Sequence, residues 1–132
     1  MTAVIALANG KGGVKKSSMS RAIATEYTKA GWGVLGLDMD IDQGSFLDWG
    51  QRRLRNGFEP PVTIQGCGTV SQAKKQIESG QWDLIVIDSA AYATKSLLSL
   101  IDIVDLLVLP TGFSVDDLRT TVTTVNALRN KG

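Results

Sequence analysis

At 132 residues the chain has the length of one domain with a real core, and 43% apolar against 20% charged residues is the balance of a soluble globular protein. A formal net charge of +1 supplies no global field toward nucleic acid or anionic lipid, which leaves only a local basic patch to consider. The absence of histidine excludes imidazole acid–base chemistry and histidine metal ligation, and a single cysteine, Cys67, excludes a disulfide framework or a thiolate cluster for zinc or iron–sulfur.

The first element is a continuous apolar run over residues 3–8, the pattern of a strand buried on both faces in a parallel sheet. The stretch Gly10-Lys11-Gly12-Gly13-Val14-Lys15-Lys16-Ser17-Ser18 follows. Behind it Met19, Ala22, Ile23, Tyr27 and Ala30 recur at helical spacing, and Gly31 marks a helix stop. Gly33 to Leu37 form a second strand, ending in Asp38-Met39-Asp40 and a polar turn, Ile41-Asp42-Gln43-Gly44. Ser45 with Asp48 reads as a capping pair for a helix through about Arg55, which Asn56-Gly57 breaks. Pro60-Pro61 enforce extended backbone before a short strand, Val62 to Ile64, expected toward a sheet edge. Thr69 with Gln72 repeats the capping signature, Val70, Ala73 and Ile77 supply an apolar face, and Gly80 ends that helix. Leu84 to Ile87 is the strongest strand and runs straight into Asp88. A helix over Ser96 to Ile101 and a buried strand over Leu106 to Leu109, closed by Pro110, come next. A last helix, with Ser114 and Asp117 as its cap, presents Val115, Leu118, Val122, Val125 and Leu128.

Strands alternating with helices argue an α/β fold with a parallel sheet covered on both faces. Right-handed crossovers place every strand-to-helix loop at one sheet edge, the carboxyl edge where such folds bind ligands. Lys16, Asp38, Asp40 and Asp88 all fall just past a strand's carboxyl end. A glycine loop between a strand and a helix lets successive backbone N–H groups converge on an anion, aided by the helix dipole. Lysine at position 16 then meets the terminal phosphates and the Ser17 hydroxyl meets Mg²⁺. The spacing departs from G-x-x-x-x-G-K-[ST] at one place, where Lys15 stands for the second glycine.

Lys11-Gly12-Gly13-Val14-Lys15-Lys16-Ser17 resembles the deviant Walker A motif of the ParA/MinD family of P-loop ATPases, with Lys11 at the "signature" lysine position. Asp38-Met39-Asp40 resembles the family's switch I strand end, usually D-x-D-P-Q, and Gln43 to Trp49 is similar to its continuation in small plasmid-partition ParA proteins. Val86 to Ala90 resembles switch II, and Leu109-Pro110-Thr111 with Ser114 to Leu118 a later loop and helix. The resemblance implies a three-layer P-loop NTPase fold, a mostly parallel sheet with helices on both faces, lacking the C-terminal strands that usually follow. It implies an ATPase with ATP and Mg²⁺ as cofactors. Gly10, Lys11, Gly12, Gly13, Val14, Lys15, Lys16, Ser17 and Ser18 would then bind nucleotide. Lys16 contacts the β- and γ-phosphates, Ser18 helps hold the α-phosphate, and Lys11 crosses to the phosphates of a second subunit. Asp40 orients the attacking water, and Ser17, Asp38 and Asp88 surround the metal.

Three departures bear on activity. If the position of Lys15 requires a glycine-only backbone, lysine costs roughly 1–2 kcal/mol there, and its side chain crowds the phosphates or adds a cation. Ile41-Asp42 stands where one proline is usual, so Asp42 competes with Asp40 for the water. Ala90-Ala91 replaces two prolines after the switch II aspartate. Arg52, Arg53 and Arg55 beside Trp49 read as a solvated helix face in preference to a phosphate or dimer contact.

The expected function is that of a ParA-type ATP-dependent dimerising switch in plasmid or chromosome partition, spanning residues 1–132 as a single domain. A homodimer on ATP binding, non-specific DNA and a ParB-like protein are the expected partners. The alternative is a non-hydrolysing nucleotide-binding regulator of the same fold, impaired by Lys15. No stretch approaches the roughly 18 apolar residues of a membrane span, and the start lacks a signal-peptide pattern, so a cytoplasmic protein without a membrane partner is expected. Cys67 reads as a small buried residue in a reducing compartment.

Overall fold

A computed structural model describes residues 1–8, 14–89, 94–110 and 126, without the side chains of 14–17 and 94–97. The glycine residues 10, 12 and 13, Lys11, Ala90-Ala91, Thr111 and nearly all of the expected last helix lie outside the described residues.

The order is β1 (Ala3–Leu7), α1 (Val14–Lys29), β2 (Val34–Asp38), α2 (Ser45–Arg55), β3 (Thr63–Gly66), α3 (Val70–Glu78), β4 (Leu84–Asp88), α4 (Thr94–Ile101) and β5 (Leu106–Val108). The strands form one sheet in the order β3-β2-β4-β1-β5, and every pairing is parallel. β1, β2 and β4 are the near-continuous apolar runs that a strand covered on both faces requires.

Side chains alternate across each strand, so the two faces divide the core cleanly. Leu7, Val34, Leu84 and Val86 pack with Ala24 of α1 and Phe46 of α2. Val4, Ala6, Leu35, Leu37, Ile85 and Ile87 pack with Ala73 of α3 and Leu100 of α4. The topology explains this division. The first two crossovers carry the chain toward β3, and the next two carry it back, so right-handed connections put α1 and α2 on one face and α3 and α4 on the other.

Glycines end the helices where the sequence expects. Gly31 and Gly57 are left-handed, at φ of 93° and 69°. After α1, Gly31 N–H donates to Thr28 C=O and Trp32 N–H to Tyr27 C=O. After α2, Gly57 N–H donates to Leu54 C=O and Phe58 N–H to Arg53 C=O. Both are Schellman motifs, and the apolar contact that accompanies such a motif is the edge-on Tyr27–Trp32 pair, 4.9 Å between ring centroids. Two exposed aromatics thus have a local structural reason.

Three expectations need correction. Ser45 does not cap α2: it is already helical, Gly44 occupies the cap position at φ 59°, and no side chain caps from there. Asp48 instead pairs with Arg52 at 3.0 Å. The short strand pairs from Thr63 to Gly66, one residue later than expected at its start, although Val62 is buried in the core. β5 is not fully buried, because described residues cover only one of its sides, and Leu106 is 54% exposed. The edge position expected for the strand after the two prolines is the one β3 occupies. The Thr69 cap is also present: Thr69 Oγ1 accepts from Gln72 N–H at 3.2 Å, while Gln72 Oε1 reaches the N–H of Gly68, one residue before the cap.

Candidate functional site

The site is assembled at the carboxyl edge of the three central strands. Asp38 ends β2, Asp88 ends β4, and the two are partners in the parallel register, with Leu7 of β1 opposite Asp88 on its other side. Both aspartates are 1% exposed. Each shares the parity of the residues that face α1 and α2, so both leave the sheet on the α1 side. α1, the next helix in the chain, packs on that side, and its helical backbone begins at Val14, so the N–H groups of its first turn, which have no intrahelical acceptor, belong to the same edge. The helices that follow β1 and β4, α1 and α4, pack on opposite faces of the sheet, which makes the gap between these two strands a topological switch point.

Hydrogen bonds beyond the strand ends hold this edge together. Met39 N–H donates to Asp88 C=O at 2.9 Å, and Cys67 N–H to Asp38 C=O at 2.9 Å. Ser89 donates twice to Leu7 C=O, from its N–H at 3.1 Å and its Oγ at 2.9 Å. These bonds tie the residue that follows β4 to the last residue of β1. Sequence reasoning gave Ser89 no role; a small hydroxyl directly after a buried strand was the available signal.

The loop after β2 is ordered by Asp38. Its Oδ1 accepts from Asp40 N–H at 3.0 Å and its Oδ2 from Leu47 N–H at 2.9 Å. Gly44 N–H closes the turn onto Asp40 C=O at 2.7 Å. Asp40 is half-buried with its backbone held on both sides, whereas Asp42 is exposed on the turn. Ser18 is exposed near the start of α1. Lys15, Lys16 and Ser17 lie in its first turns, so Lys15 has ordinary right-handed helical backbone and the glycine-only conformation is not required of it.

Among the described residues no three of His, Cys, Asp and Glu gather as a metal-binding group. The donors present are hard oxygens, and Mg²⁺ is commonly held by one or two carboxylates plus substrate phosphates, so the set fits that ion. The arginine cluster divides. Arg53 donates to the carbonyls of Pro60 at 2.7 Å and Glu59 at 2.8 Å and lies 5.7 Å from the Trp49 ring centroid, Arg52 pairs with Asp48, and Arg55 is exposed. Arg21 of α1 stands 5.8 Å from the same ring. Cys67 is 3% exposed, as expected of a buried residue, and burial pushes its thiol up.

Residues 5–131 match the model of the CobQ/CobB/MinD/ParA nucleotide binding domain. The chain belongs to that family. No curated protein matches it at a significant level. Among solved structures, a plasmid partition protein from Borrelia burgdorferi is 16% identical with a TM-score of 0.75, over 98% of this chain and 73% of its own. A putative plasmid partition protein from Borrelia burgdorferi B31 bound to AMPPNP is 16% identical with a TM-score of 0.76, over 98% and 69%. The MinC:MinD cell division protein complex of Aquifex aeolicus contains a chain 20% identical with a TM-score of 0.72, over 98% of this chain and 64% of that one. At such identities the likeness establishes the fold that this CobQ/CobB/MinD/ParA domain shares with them, the α/β architecture expected from the sequence.

Proposed function

We propose that this CobQ/CobB/MinD/ParA domain is a ParA-type ATP-dependent dimerising switch that binds and slowly hydrolyses Mg-ATP in plasmid or chromosome partition. The observation that carries the reading is the in-register pair of buried aspartates, Asp38 and Asp88, at the carboxyl edge beside the strand that feeds the glycine loop. A sheet edge of this kind suits a triphosphate: backbone donors and a helix dipole on one side, carboxylates for a metal on the other. The neighbour bound to AMPPNP supports a nucleotide of this kind.

In this reading residues 10–18 wrap the phosphates, Lys16 meets the β- and γ-oxygens and Ser18 supports the α-phosphate. Ser17 and Asp88 would hold Mg²⁺, which would supply positive charge to offset that of the phosphates. Lys11 reaches the phosphates of a second copy, so a cation arrives at the site only when two subunits meet. Asp40 orients the attacking water; its anchored, half-buried position favours it over exposed Asp42. Catalysis is then mainly positioning and charge stabilisation for in-line attack. ADP release returns the monomer, and non-specific DNA and a ParB-like protein are the proposed partners of the dimer.

Light scattering with ATP and Mg²⁺ tests the switch: mass should double, and Lys16→Ala should bind nucleotide at least tenfold more weakly and stay monomeric. A wild-type mass that ignores ATP overturns the proposal. A second reading, a regulator that does not turn over, rests on Lys15 alone. The helical backbone at Lys15 removes strain as its mechanism and leaves crowding or charge. Under that reading Lys15→Gly creates turnover absent from the wild type; equal turnover in both proteins removes it.

A further inference from the structure

We propose that Asp38 is a positioning residue, whose buried carboxylate suspends Asp40 and caps α2 from within the sheet, and not a ligand of the metal. This rests on the nucleotide-switch reading of the site.

Each carboxylate oxygen already has a backbone donor, Asp40 N–H on Oδ1 and Leu47 N–H on Oδ2. The two donors lie two and nine residues further along the chain, so one side chain spans the whole loop between β2 and α2. Leu47 N–H belongs to the first turn of α2, where helix N–H groups lack intrahelical partners. Gly44 at the cap position brings no side chain to meet them. A carboxylate at a helix amino end is also where the dipole favours negative charge. Asp38 therefore does from β2 what a cap residue ordinarily does from the neighbouring turn.

Distance across the sheet points the same way. β4 lies between β2 and β1. Asp88 is therefore one strand from the glycine-loop strand, about 4.8 Å, and Asp38 is two strands away, about 9.6 Å. A metal held beside α1 would therefore lie closer to Asp88 than to Asp38. α2 is itself locked to β2, because Phe46 packs directly over Gly36. The carboxylate thus hangs the Asp40 backbone from a fixed frame.

The test compares wild type with Asp38→Asn, in which one side-chain NH₂ must face a backbone N–H. Turnover should fall at least tenfold, with the KM for ATP and the half-saturating Mg²⁺ concentration within twofold of wild type. Amide exchange at Asp40 and Leu47 should accelerate at least tenfold. A tenfold rise in half-saturating Mg²⁺, unchanged exchange at both amides, or wild-type turnover would overturn the proposal. A measurement on the wild type needs no variant to fold: adding Mg-AMPPNP should leave exchange at Asp40 and Leu47 unchanged or slower, whereas recruitment of Asp38 to the metal would speed it. Exchange in the nucleotide-free proteins is read without any turnover. A wild type that binds no nucleotide would therefore defeat the functional reading while the Asp38 bonds are still judged.

Discussion

Gly36 is where α2 meets the sheet. A Cβ there would stand 2.8 Å from the Phe46 ring and 3.0 Å from Ile64 Cγ1. Both are packed side chains, so Gly36→Ala should destabilise by about 1–3 kcal/mol, read as a lower urea midpoint at unchanged slope. Cys67 gives a prediction of a different kind. Burial raises its thiol above the ordinary 9.0, against an opposing pull from backbone hydrogen bonds at Thr69 and Ala73. The unfolded chain then loses this proton at lower pH than the native one. Its contribution is intact below pH 9.0 and declines as pH rises past that value toward the native thiol's own. Comparing urea midpoints for wild type and Cys67→Ala from pH 7 to 10.5 checks the sign: the wild type should fall more steeply above pH 9. At this scale Asp38 and Asp88 were legible, because an acid that ends a buried apolar run has few places to point. The partners of Asp38 were not. A bond from a strand end to an N–H nine residues on leaves no periodic trace, and a nearby Ser-x-x-Asp offered a plausible substitute.

At the scale of the elements, α2 packs against β2, β3 and α1. Its three arginines look alike in sequence and differ in every partner. Arg53 satisfies two carbonyls in the segment that leads to β3 and stands against Trp49, so Arg53→Ala should cost about 1.5–3 kcal/mol. Arg55→Ala should stay within about 0.5 kcal/mol, as befits an exposed position, and thermal unfolding of the two variants separates them. Helix existence and ends were legible where local chemistry decides them. Gly31, Gly57 and Gly80 each follow a helix with positive φ, and Thr69 caps α3 as its side chain allows. The start of α2 failed because its cap comes from another element. Leu106 was read as buried because an apolar triplet looks the same at an edge as at the centre of a sheet.

For the whole molecule, alternation of strand and helix was enough to give the fold class and the edge where the candidate site lies. The order β3-β2-β4-β1-β5 was not contained in that alternation. It depends on which strands cover each other's faces, a property of the assembled sheet. Once the order is known, the aspartate pair follows from register alone, since Asp38 and Asp88 close strands that are neighbours in space and fifty residues apart in the chain.

α1, α2 and α3 are each followed by a left-handed glycine turn. The sheet is polarised: its carboxyl edge holds the buried aspartates, and the turns at Gly31, Gly57 and Gly80, each exposed with open space where a Cβ would go, lie at the opposite edge. These are places where a chain tolerates insertion, because few contacts depend on its exact path. The turn at Gly80 is therefore a handle. A fluorophore, a short affinity tag or an inserted domain placed there would report on or tether the protein from the far side, with the full depth of the sheet between it and the buried aspartates.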